Sequence, residues 1–138
     1  MSLSLGCFSV SLSVKDVAAS LAFYTALDFQ QVAGNVAQGW AVVQSGTTTI
    51  GLFRAGMLEP NVTTLTFNPG WAPRVDGGPH ATLTDFQDVR ELQAAIKARG
   101  LSPLVETAND DGPAHMILAD PDGNRILIDQ HVPKPTRQ

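Results

Sequence analysis

The sequence predicts an α+β fold made of two βαβββ modules, and three observations carry that expectation. A strand-like run followed by an aspartate-capped helix occurs twice, ending at Asp16 and at Asp88. Three further strand-like runs follow each helix. A glycine- and proline-rich stretch over residues 68–79 separates the two series. The reading is therefore one domain, residues 1–138, with modules at about 7–67 and 80–131 joined by a loop at 68–79.

In the first module Phe8, Val10, Leu12 and Val14 alternate with Ser9, Ser11 and Ser13, the period of a strand with two unlike faces. Asp16 then offers an N-cap, and Val17, Leu21, Tyr24 and Leu27 form one stripe of the helix that follows. Strands are expected at 29–32, 40–44 and 47–53, the last two joined by a tight turn at Ser45 and Gly46. The serine side of the first strand faces either solvent or a ligand.

The second module repeats the order. Residues 80–86 read as a strand. Asp88 caps a helix with Glu91 three residues on, Val89, Leu92 and Ile96 form its stripe, and Gly100 suits its stop. Strands are expected at 102–106, 114–119 and 125–131, with Asp120-Pro121-Asp122-Gly123-Asn124 turning between the last two. Superposing Asp16 on Asp88 sets Val14 over Phe86, Val17 over Val89 and Tyr24 over Ile96. Pro133-Lys134-Pro135 ends the fold in a tail.

The bulk numbers narrow the class. The chain is 43% hydrophobic and 16% charged, which is ordinary for a globular protein. A net charge of -4 provides no basic field for a phosphate backbone or an anionic bilayer, so neither nucleic acid nor membrane is expected as a partner. Cys7 is the single cysteine and excludes an internal disulfide. With no basic stretch or continuous apolar run at the start, the expected location is cytoplasmic.

A strand, then Asp16, then Phe23-Tyr24 within a helix, and finally the Asp120–Asn124 turn before an apolar strand: this pattern resembles the vicinal oxygen chelate superfamily of glyoxalases, bleomycin resistance proteins and extradiol dioxygenases. The resemblance spans about residues 8–131. It implies that each module curls a mixed sheet into a concave cup, with ligand or metal held inside. It places Ser9, Ser11 and Ser13 in that cup, with Phe8, Val10, Leu12 and Val14 beneath the helix. His115, Ile117 and Ala119 share the strand face that lines the cup in such proteins.

The same resemblance raises the question of metal. Metal-dependent members carry a histidine seven residues before the capping aspartate, and here those positions are Ser9 and Ala81. The carboxylate expected seven residues beyond Asp120 is Leu127, and its counterpart in the first module is Ile50. Hydroxyl, methyl and alkyl groups do not replace imidazole or carboxylate as ligands of zinc, iron, manganese or nickel. The expectation is no metal and no cofactor; for an enzyme with displaced ligands a divalent metal would be required, with His80 and His115 as fallback donors.

The function implied is a metal-free, glyoxalase- or bleomycin-resistance-like binder of a small organic molecule in a cup between the modules. The alternative is a superfamily enzyme, a metal-dependent lyase, isomerase or dioxygenase. The expected ligand contacts are Ser9, Ser11, Ser13, His115, Ile117, Leu127 and Trp71, the last as a lid residue in the joining loop. Trp40 is expected in the core, His131 on the surface beside Asp129, and Cys7 as a buried thiol. A homodimer is expected, because a sheet of this size leaves open strand edges.

Overall fold

A computed structural model of the chain describes residues 2–72, 81–108 and 110–136. It has the predicted α+β composition, with seven strands and two helices in the order β1 (Cys7–Val14), α1 (Val17–Ala26), β2 (Gln30–Asn35), β3 (Trp40–Ser45), β4 (Thr48–Arg54), β5 (Thr64–Asn68), α2 (Val89–Ala98), β6 (Ala114–Ala119) and β7 (Arg125–Gln130). A 3-10 turn, Val36–Gln38, lies between β2 and β3. The described residues divide between two compact units: 9–64 in one, and 2–8, 65–72 and those beyond 80 in the other.

In the amino-terminal unit the strands run in the order β2-β3-β4-β1. β1 lies parallel to β4, with Val10 opposite Ile50 and Leu12 opposite Leu52, and the other pairs are antiparallel. α1 provides the crossover that parallel strands require. It starts where expected: Asp16 Oδ1 accepts from the Ala19 amide at 3.1 Å, satisfying one of the helix's free donors. It stops at Asp28, which adopts φ 68. Val17, Leu21 and Tyr24 pack on Leu12, Val14, Ala41, Val43, Ile50 and Leu52. Leu27 departs from the predicted stripe, at 56% exposed, because it caps the helix after its last full turn. Phe29 fills that part of the core instead, edge-on to the Tyr24 ring at 5.4 Å. The β3–β4 turn is Gly46-Thr47, one residue later than expected, since Ser45 already pairs with Thr48.

In the carboxy-terminal unit the order is β5-β7-β6. α2 buries Val89, Leu92 and Ile96 against Met116 and Ile128, as its spacing predicts, and Gly100 at φ +90 follows its end. The Asp120–Asn124 turn forms as read from sequence. Asp120 accepts from the Asp122 and Asn124 amides through Oδ1 and from the Asn124 side chain through Oδ2, each at 2.9 Å.

Two strand expectations are corrected here. No strand forms over the described residues 81–86, where Thr82 makes one bridge to Trp71 and Leu83 is exposed. The strand that precedes α2 is β5, some twenty residues earlier, whose buried residues Thr64, Thr66 and Asn68 are polar. The strand expected at 102–106 is reduced to a bridge between Val105 and Ile117. Among the described residues no helix is long and apolar enough to cross a membrane.

Candidate functional site

Alternation along a strand sends successive side chains to opposite faces, so the packing of each helix defines the face left over. In the amino-terminal unit Leu12, Val14, Ala41, Val43 and Leu52 lie with α1. Ser9, Ser11, Ser13, Trp40, Gly51 and Phe53 therefore share the other face, with Ser11 opposite Gly51 and Ser13 opposite Phe53. Trp40 pairs across the strands with Phe53; their rings are within 7° of parallel, with centroids 6.3 Å apart.

Phe53 leans across Gly51. A methyl group added at Gly51 would sit 2.6 Å from Phe53 Cε2 and 3.3 Å from Ser11 Oγ. Any larger residue here would have to push the Phe53 ring aside. Ser11 is only 3% exposed, so this face is covered at its centre and is not the open, wet wall the alternation implied.

Two further expectations change. Trp40 does not join the α1 core; it stands on the opposite face against Phe53. Ile50, the expected counterpart of Leu127 at a ligand position, lies under α1 with Leu52. The turn is Gly46-Thr47 and not Ser45-Gly46, and a slip of one residue moves every side chain to the other face.

In the carboxy-terminal unit Met116 and Ile128 face α2, which leaves His115, Ile117, Leu127 and Asp129 on the other side. Ile117 stands opposite Leu127, and His115 opposite Asp129. This brings together three of the residues expected to meet a ligand. The fourth residue of the row, Asp129, meets its expected neighbour His131, and Trp71 joins them in a contact the sequence does not announce. Asp129 Oδ2 lies 3.1 Å from His131 Nε2, and the His131 ring stacks on Trp71 at 4.5 Å, within 8° of parallel. Trp71 is thus a stacking partner, held by its bridge to Thr82. The available signal was the spacing of Asp129 and His131, two apart along a strand and so on one side; nothing in the sequence tied Trp71 to them.

The strongest electrostatic feature lies elsewhere in this unit. Asp88 is fully buried; its carboxylate accepts from Gln130 Nε2 at 2.9 Å, from the Arg90 amide at 2.9 Å and from Arg90 NH1. Burial works to raise its pKa, but the hydrogen bonds from Gln130 and Arg90, with the Arg90 charge, outweigh it and hold the carboxyl below its ordinary value. At the exposed turn, the Asn124 side chain and neighbouring amides lower the pKa of Asp120 in the same way. Both carboxylates hold structure in place.

A groove of about 320 Å³ opens at the start of α1, lined by Lys15, Asp16, Val17, Val36, Gly39 and Arg54. It lies beside the helix and not on the serine face.

A family model for the glyoxalase/bleomycin resistance protein/dioxygenase superfamily matches residues 7–128. The chain belongs to that superfamily. Solved structures agree in fold. The NAD-dependent benzaldehyde dehydrogenase of Legionella pneumophila is 21% identical, with a TM-score of 0.65 over 90% of this chain and 98% of its own. A superfamily member from Vibrio splendidus 12B01 is 12% identical, with a TM-score of 0.58 over 89% and 97%. The hypothetical protein BH1468 of Bacillus halodurans C-125 is 13% identical, with a TM-score of 0.55 over 99% and 100%. No curated protein matches the chain.

Within this superfamily divalent metals are used by some members, and the residues at the expected ligand positions offer no imidazole or carboxylate to hold one. Ser9 lies on β1, Leu127 on β7 and Ala81 in an exposed segment. Of the fallback donors, His80 falls outside the described residues, and His115 has one carboxylate, Asp129, opposite it. Among the described residues no group of three His, Cys, Asp or Glu side chains is placed to hold an ion.

Proposed function

We propose that this superfamily member is a metal-independent binder of a small, partly apolar and flat organic molecule. The observation that carries the reading is the parallel Trp40–Phe53 pair, whose Phe53 ring crosses Gly51 beside Ser11. Aromatic faces with a few hydroxyls are what a pocket for a flat apolar molecule requires. Ligand contacts are assigned to Ser9, Ser13 and Phe53 around the covered Ser11 in the amino-terminal unit; His115, Ile117 and Leu127 form a separate candidate face in the carboxy-terminal unit. Alkyl and hydroxyl groups at the metal-ligand positions support binding over metal-assisted chemistry. The buried thiol of Cys7 fits a reducing, cytoplasmic setting.

The test is native mass spectrometry of gently purified protein, followed by ligand release and titration monitored by Trp40 fluorescence in a Trp71→Phe background. A bound molecule that is lost in Phe53→Ala, with the fold intact by circular dichroism, supports the reading. A ligand that binds only in the presence of a divalent metal sinks it.

A homodimer belongs to the same proposal. It is supported by the outer side of α1, where Phe23 and Leu27 are 61% and 56% exposed.

A further inference from the structure

We propose that Asp129, His131 and Trp71 form a proton-accepting binding site for a flat, acidic hydroxyl compound, a phenol or a stable enol. This goes beyond the proposed function and rests on none of the residues that carry it.

The argument begins with the tautomer. An ionised carboxylate only accepts hydrogen bonds, so the 3.1 Å contact puts the hydrogen of a neutral His131 on Nε2, donated to Asp129 Oδ2. The lone pair is then on Nδ1, and among the described residues that nitrogen has no partner. The imidazole is also held in place. Trp71 lies flat against it, and the Asp129 carbonyl accepts from the buried Asn68 side chain at 2.8 Å. Next to it, the chain at Val132 packs so closely on Gly70 that an added methyl would meet Val132 Cγ2 at 2.3 Å. A carboxylate that orients an imidazole and leaves its second nitrogen free is the arrangement of a base. Here no hydroxyl or thiol nucleophile stands beside it among the described contacts, so the proton must come from the ligand. His131 is 46% exposed and Asp129 30%, so the pair lies at the surface.

The shape of the site follows from the stack. An indole is larger than an imidazole, so a flat molecule in the imidazole plane can share the rest of the Trp71 surface while its hydroxyl meets Nδ1. The ligand O–H bond breaks, an N–H bond forms at Nδ1, and the electron pair stays on oxygen. No oxidant or co-reactant is needed. The product is an imidazolium between Asp129 and the Trp71 face, opposite a phenolate. A charge-assisted hydrogen bond and a cation–π contact both favour it.

The probe is 4-nitrophenol, whose phenolate absorbs in the visible while the phenol does not. At a pH where the free probe is mostly neutral, added protein should raise the phenolate fraction several-fold. His131→Gln and Asp129→Asn should abolish that rise, and Trp71→Phe should weaken binding several-fold, all with native circular dichroism. Wild-type protein that fails to bind the probe at millimolar concentration, or binds it in the neutral form, overturns the proposal. So does an unchanged phenolate rise in His131→Gln, or its loss in Phe53→Ala, which would assign the probe to the other unit and leave the proposed function standing.

Discussion

Gln130 joins the last strand to the start of α2 through both ends of its amide: Nε2 donates to Asp88 Oδ2 at 2.9 Å while Oε1 accepts from the Val89 amide at 2.8 Å. Both side chains are fully buried. One residue caps the helix, the other caps the cap, and Arg90 closes the network by reaching Asp88, Asp110 and the Gly112 carbonyl. Buried polar groups so paired hold α2 in one position on its sheet.

This network makes stability depend on pH. The folded Asp88 carboxyl is more acidic than the unfolded one, so its contribution is complete above the ordinary aspartate value and is lost as pH falls through the depressed folded value. Urea unfolding of the wild type should weaken below about pH 4. Asp88→Asn should lose stability at pH 7 and show a flatter acid limb. The loss approaches the ~3–5 kcal/mol of a broken buried ion pair, less what Arg90 retains through Asp110 and Gly112. Equal acid limbs in the two proteins would remove Asp88 as the cause.

The legible parts of the fold are those set by local chemistry. Asp16 and Asp88 announce their helices, Val89, Leu92 and Ile96 announce a buried stripe, and Asp120 with Asn124 announces a turn. β5 escaped because its buried residues, Thr64, Thr66 and Asn68, are polar, while its apolar Leu65 and Phe67 are only half-buried. The stack of Phe53 over Gly51 requires strand register, which a one-residue difference in the β3–β4 turn was enough to hide. The contact of Trp71 with His131 joins residues 60 apart in the chain.

Core and surface substitutions on one module should separate cleanly. Leu52 is fully buried beneath α1, so Leu52→Ala should cost ~2–5 kcal/mol through lost transfer energy and a cavity. In the monomer, Leu27→Ala, a change of similar size at an exposed cap, should stay within about 0.5 kcal/mol. Chemical denaturation measures both, and comparable costs would contradict the observed face of α1.

Gly51 offers a test of the aromatic floor. Its φ is not in the left-handed region, so Gly51→Ala acts through space alone: the new methyl must displace the Phe53 ring. Overpacking of this kind costs ~1–3 kcal/mol. With Trp71 replaced by Phe, Trp40 emission should shift as its stacking partner moves. Unchanged emission and stability would mean that Phe53 is free to leave Gly51.

The metal prediction follows from donor chemistry. After exposure to zinc, manganese, nickel and iron(II), then dialysis, the protein should retain well under one ion per chain by elemental analysis, because Ser9, Ala81 and Leu127 offer no imidazole or carboxylate. Stoichiometric retention that survives His115→Ala would point to donors outside the expected set. Retention lost in that variant would make His115 a ligand, and either result would end the metal-independent reading.

The outer side of α1 yields the last prediction. Its sequence, Val17–Ala26, holds apolar residues around nearly the whole helix, and beyond Phe23 and Leu27 the exposed positions include Ala19, Ala22 and Ala26. A helix apolar on every side is expected to be covered on every side. Only one side is covered by its own sheet, through Val17, Leu21 and Tyr24. A second copy would cover the rest, burying the same residues on both chains as a two-fold interface does. Sedimentation velocity at micromolar concentration should therefore give a dimer. The double substitution Phe23→Glu, Leu27→Lys should shift it to monomer without loss of helical circular dichroism, since neither side chain contributes to the core. A wild-type monomer at that concentration would end the idea, and a dimer that survives the double substitution would move the interface off α1.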